Sequence, residues 1–114
     1  MADQYHPYVY PQEYGAHEQT RSFQMTNDAG LGFEVSLPVP ISFTARPHHD
    51  VDLARATTLA DLGQGETTEV HIDAAMRGLG TGACGPDVLD QYVVRPGTYR
   101  FSWRLRPLAS SLQE

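Results

Sequence analysis

The chain has 114 residues, enough for one domain with a modest core. Hydrophobic residues make up 40% and charged residues 19%, a globular balance that excludes a disordered chain. The net charge is -6 and all 8 basic residues are arginine, which argues against binding nucleic-acid phosphates, and no run reaches the roughly 18 apolar residues of a membrane helix.

The first residues, "MADQYHPYVYPQEYG", have no basic start and no apolar run, so they do not form a signal peptide. Cys84 is the single cysteine, which leaves no internal disulfide. Both features lead to a cytoplasmic expectation. Residues 1–7 are expected to be disordered or foreign to the natural chain, and 109–114 to form a tail.

The period along the chain is mostly two. "TRSFQMT" sets Phe23 and Met25 on one face, and "GFEVSLP" does the same with Phe33, Val35 and Leu37. "TNDAGLG" between them reads as a hairpin turn. "PISFTA" predicts a further strand with Ile41 and Phe43 inward. "HHDVDLARATTLADL" predicts a helix of about two turns, with Asp50 as N-cap and Asp52 in the first turn. Its threonines discourage extension. "GQGETT" breaks the chain before "EVHIDA", a strand with Val70 and Ile72 inward. "DQYVVRPG" leads into the last hairpin. "GTYRFSWRLRP" alternates most clearly, with Tyr99, Phe101, Trp103 and Leu105 predicted inward and four polar residues outward. Pro96-Gly97 precedes that strand as a turn, and Pro107 ends it. The pattern is all-β and layered, with one short helix.

"GTGACG", Gly80 to Gly85, matches the dinucleotide fingerprint G-x-G-x-x-G. That fingerprint needs a following helix and an acidic residue about twenty positions on, within a βαβ unit. Here the loop leads into Gly85-Pro86-Asp87 and no βαβ unit is predicted, so a phosphate cradle is rejected.

Three blocks in this order point elsewhere. They are "YVYPQEYGAHEQTR" (8–21), "DLARATTLADL" (52–62) and "VHIDAAMRGLGTGACGPDVLDQYVVRPGTYRFSWRLRP" (70–107). Together they resemble the C-terminal domain, of small-chain type, of the glycoside hydrolase family 2 lacZ-type β-galactosidases. The resemblance runs from about Tyr8 to Leu108. It implies a large antiparallel supersandwich similar to the galactose mutarotase fold, of which residues 1–114 would be one domain-like piece, the C-terminal half. It implies a parent enzyme that hydrolyses terminal β-D-galactosides such as lactose with two glutamates in a TIM barrel, and so an inactive chain on its own. It places the family's magnesium and sodium ions in other domains, with no cofactor in this chain.

The resemblance also implies a site. In the family, a loop of the form G-x-G-G-D-D/N-S-W-G-P closes one side of the galactoside pocket, and its tryptophan is an apolar platform. Here Gly80, Thr81, Gly82, Ala83 and Cys84 occupy that loop, which is one residue shorter, and Cys84 falls at the tryptophan position. Cys84 is small and offers no aromatic face. In the helix block, Thr58 stands where the family commonly has histidine. The implied partners are the rest of the β-galactosidase chain or a separate large subunit, a β-galactoside, and a second copy of the fragment through its open edges.

Other residues have plainer roles beside the sharper ones. Cys84 has no local Cys-His motif, so it reads as a passive loop residue rather than a nucleophile. Glu13 and Glu18 could be read as a glycosidase pair, but the resemblance places catalysis elsewhere, and Glu13 reads as a turn or domain contact. "HHDVD" reads either as a metal cluster or as a helix start with a capping Asp; paired ligand spacings are lacking, so no metal is expected. Asp73 reads either as a holder of the loop amides or as a solvated strand end. Trp103 reads as core rather than sugar platform, and the alternating arginines as solvated or packed on another domain. A self-standing carbohydrate-binding module would instead need exposed aromatics on one sheet face.

Overall fold

The structure is a computed structural model and describes residues 4–63, 65–78 and 80–109. Residues 1–3 of the lead and 110–114 of the tail therefore lie outside the described residues. Four strands form one sheet: β1 (Ala16–Thr26), β2 (Gly32–Arg46), β3 (Glu69–Asp73) and β4 (Arg104–Leu108). The order is β1-β2-β3, and β4 also pairs β2. The β2–β4 pairing is antiparallel, from Gly32 opposite Leu108 to Ser36 opposite Arg104. At 15 residues, β2 is long enough to take β4 on its first five residues and still pair β3. One α-helix, α1 (Asp50–Arg55), is present among the described residues. The fold is all-β, as the alternation predicts.

The chain divides into two compact units, residues 1–18 with 43–72 and residues 19–42 with 73–114. In the second unit the β1–β2 turn is built as its residue types dictate. The Asn27 carboxamide oxygen accepts from the Ala29 and Leu31 amides, each at 3.0 Å. Gly30 takes φ +74 to close the turn. A Cβ on Gly32 would lie 1.8 Å from the Met25 carbonyl oxygen, so only glycine lets the two backbones approach here. Phe23, Val35 and Leu37 are buried on the predicted face.

The buried face of β2 changes along its length. Past Pro38 and Pro40, Ser42, Thr44 and Arg46 are buried, while Ile41 and Phe43 are only half-buried. The expected inward face of "PISFTA" is thus corrected. The two prolines lack N–H donors and interrupt regular strand pairing, and polar partners rather than apolar ones fill the far end. β3 forms where predicted, but all five of its residues are half-buried, with no inward row.

The first unit contains α1. Its N-cap is His49, not Asp50, which is already the first helical residue. The helix stops at Ala56, ahead of the threonines that discourage its extension, and Thr58 caps a separate 3-10 turn at Leu59–Asp61. Asp61 Oδ2 accepts from the amides and hydroxyls of Thr57 and Thr58 at 2.8–3.0 Å. These bonds, that of the Thr58 amide first, hold the Asp61 carboxyl down to about 2.

The last strand is much shorter than predicted. β4 begins at Arg104, and Tyr99, Phe101, Trp103 and Leu105 are 45–50% exposed. Tyr99 spends its hydroxyl on the Arg95 carbonyl, 2.6 Å away. Alternation marks a face that needs a cover, but the described residues leave about half of each side chain open. "DQYVVRPG", expected to lead into the last hairpin, forms a 3-10 turn at Asp90–Tyr92.

Candidate functional site

The glycine loop belongs to the second unit, and Leu79 within it lies outside the described residues. Thr81 and Asp87 bridge in antiparallel fashion, so residues 82–86 form a five-residue tip. Asp87 sets the base of the loop. Its Oδ1 accepts from the Arg77 guanidinium at 2.5 Å and from the Val88 amide at 2.7 Å. The Thr81 hydroxyl accepts from the Ala83 amide at 3.4 Å. Gly80 sits at φ +123, and a Cβ there would meet the Val88 nitrogen at 2.8 Å and the Pro86 oxygen at 2.9 Å. A side chain at this position is excluded by both torsion and space. Gly82 takes φ +69. Ala83 and Cys84 are exposed at the tip, and the Cys84 thiol is free.

The loop is therefore shaped by Arg77 and Asp87, neither of which the sequence reading singled out. The Asp-Val step that follows Gly85-Pro86 was the available signal: a short acceptor beside a turn bonds nearby amides. Asp73, read either as a holder of the loop amides or as a solvated strand end, ends β3 half-buried. No α-helix follows the loop among the described residues, only the 3-10 turn at Asp90–Tyr92, which agrees with rejecting the dinucleotide reading.

A second polar group lies in the first unit. The buried Arg46 guanidinium pairs with Asp50 and reaches the Tyr14 carbonyl at 3.4 Å. Burial raises the Tyr14 phenol, with Arg46 lowering it in part, and its hydroxyl shares a hydrogen bond of 2.8 Å with His48 Nδ1. Glu69, from β3, accepts from the Asp50 amide at the start of α1 at 3.1 Å. A carboxylate only accepts, so the histidines beside it donate. His71 Nε2 donates to Glu69 Oε1 and His49 Nδ1 to Glu69 Oε2, each at 2.6 Å. These two bonds, that of His71 first, hold the Glu69 carboxyl below the usual range.

Glu13 lines an open hollow of about 240 Å³ with Asp50, Leu53 and Ala54. Glu18 lies on β1, outside that lining. Trp103 lines another hollow of about 450 Å³ with Ser36, Leu37, Pro38, Ser102 and Arg104. No helix among the described residues is long and apolar enough to cross a membrane.

An antiparallel all-β chain that leaves an apolar row uncovered and raises a glycine loop has the character of a module from a sandwich-type domain. Comparison with known families makes this specific. The family model described as "Beta galactosidase small chain" matches residues 1–105, and the chain belongs to that family. It is 30% identical to a β-galactosidase of Arthrobacter sp. (strain B7) over 105 residues, covering 87% of this chain and 10% of the relative. It is 30% identical to a β-galactosidase of Actinobacillus pleuropneumoniae over 98 residues, 86% of this chain and 9% of the relative. A β-galactosidase of Kluyveromyces lactis is 31% identical over 99 residues, again 86% of this chain and 10% of the relative. The chain thus spans about a tenth of the length of the curated relatives it matches.

Proposed function

We propose that this chain is a non-catalytic module of a glycoside hydrolase family 2 β-galactosidase. It completes the enzyme's sandwich domain and lends Gly80–Cys84 to the wall of the galactoside pocket. The observation that carries this reading is the match along residues 1–105 to the small-chain family, at a tenth of the length of full relatives. The exposed row of Tyr99, Phe101, Trp103 and Leu105 supports it, because such a face is where a missing layer would pack. The loop geometry supports it too: the Thr81–Asp87 bridge and glycine torsions hold a narrow backbone tip that can approach a sugar closely. The partner is the remainder of the β-galactosidase chain, or a large subunit encoded separately, in the cytoplasm.

The test is hydrolysis of a chromogenic β-galactoside. The chain alone is expected to show none. Added to a parent-type β-galactosidase lacking the matching segment, it is expected to restore turnover. Activity of the chain alone would overturn the proposal and return attention to Glu13 and Glu18. A folded chain that fails to rescue would favour a second reading, an autonomous carbohydrate-binding module. The hollow beside Trp103 favours that second reading, since an exposed indole flanked by Ser36, Ser102 and Arg104 combines an apolar platform with hydrogen-bonding groups.

A further inference from the structure

We propose that Asp50, Glu69 and His71 form a binding site for a zinc-like transition-metal dication. The three residues come from two places in the first unit, the start of α1 and β3. Their donor atoms all lie within 4.8 Å of one another. His71 Nε2 is 2.6 Å from Glu69 Oε1 and 3.5 Å from Asp50 Oδ2. A tetrahedral zinc ion with bonds of about 2.1 Å keeps its ligands about 3.4 Å apart. The Asp50–His71 separation already has that value, and the Glu69–His71 contact needs to open by less than about 1 Å on the same geometry.

Each carboxylate has one oxygen held by a side chain other than His71 and its second oxygen beside His71. Asp50 Oδ1 is engaged by Arg46, and Oδ2 faces the imidazole. Glu69 Oε2 is engaged by His49, and Oε1 faces the imidazole while accepting from the Asp50 amide at 3.1 Å, which leaves a lone pair for an ion. His49 is fixed in turn by Thr67, whose hydroxyl is 2.9 Å from Nε2. Outer partners that orient carboxylate ligands in this way are the usual support of a metal centre. Arg46 offsets one of the two negative charges, which weakens the attraction for hard, purely electrostatic cations. The imidazole then favours zinc or a related first-row ion over magnesium or calcium. Binding requires the lone pair of His71 Nε2, so the proton it shares with Glu69 moves to Nδ1 of the same ring or leaves to solvent. Partial exposure of the three side chains, 25–45%, gives the ion an entry path and leaves a fourth position for water.

The deciding experiment titrates the 114-residue chain with zinc chloride, followed by calorimetry, after treatment with a chelator. One saturable zinc per chain is expected. His71→Ala and Glu69→Gln are expected to weaken it by at least about tenfold, whereas His6→Ala leaves it unchanged. Nitrogen-detected resonances of the histidine rings in the unaltered chain give an answer even where a variant does not fold: zinc is expected to shift His71 and leave His6 in place. Absence of saturable binding, unchanged affinity in a folded His71→Ala, or shifts that spare His71 would each overturn the proposal.

Discussion

In the unit of residues 1–18 and 43–72, a part-buried network of charged and polar side chains gathers around a buried arginine; in the unit of residues 19–42 and 73–114, charged pairs sit among mostly exposed side chains and the alternating row Tyr99–Leu105 faces solvent. The first unit buries Arg46 against Asp50 and the Tyr14 carbonyl, ties Glu69 to two histidines, and gathers four donors on Asp61. The second buries Phe23, Val35, Leu37 and Val88 but leaves the row from Tyr99 to Leu105 half open. Polar networks are directional and complete themselves locally, whereas an apolar face accepts any cover of the right shape. The comparison therefore assigns stability to specific bonds in the first unit and association to surface in the second.

Substitutions can break that assignment. Arg46→Ala is expected to have the largest effect, because it strips the partner from Asp50 and leaves a void beneath Tyr14. A loss of about 2–3 kcal/mol in denaturant unfolding is expected, less than for a fully buried pair because Asp50 is 45% exposed. Gly80→Ala in the second unit is expected to cost about 1–3 kcal/mol of local strain, since φ +123 is a glycine torsion. Its readout is loss of rescue in the complementation assay, with global unfolding changed less than by Arg46→Ala.

Asp61→Ala comes next, and its effect depends on pH. The folded Asp61 carboxyl is held to about 2, below its ordinary value of 3.8. Its contribution is therefore complete above about pH 4 and is lost as pH falls toward 2. The variant should melt a few degrees lower at pH 7, and the gap should close in thermal scans near pH 2. Trp103→Ser is expected to move stability least, within about 0.5 kcal/mol, as for exposed positions generally. It should nonetheless reduce any self-association of the chain in sedimentation, because an exposed aromatic row is the kind of surface a second copy would cover. A chain that sediments as a monomer before and after the change would remove the second half of the comparison.

The fold was legible where its causes are local. Asn27 and Gly30 announce the hairpin, and Phe23, Val35 and Leu37 sort to one face by period two. The reading failed where distant partners decide. Ser42 and Thr44 are buried against the apolar pattern of "PISFTA", and the Tyr14 carbonyl that receives the next buried polar residue, Arg46, is 32 positions away. The Tyr99–Leu105 alternation was read as core, but its cover does not come from the described residues. Of the candidate site, the glycines were visible as a loop, while the Arg77–Asp87 clamp was not. Glu69 and His71 had a signal that could have been used. They are two apart on a predicted strand, which places both on one face, and "HHD" ends on Asp50, the third member of the group.

The single cysteine at the loop tip has a practical consequence. A reagent selective for thiols meets one group in the whole sequence, and that group is exposed. A fluorophore attached at Cys84 would therefore report from the tip of the glycine loop alone. Its emission colour and the rate at which quenchers reach it would register the moment another surface closes over the loop, in a cuvette and in real time, without any turnover having to occur.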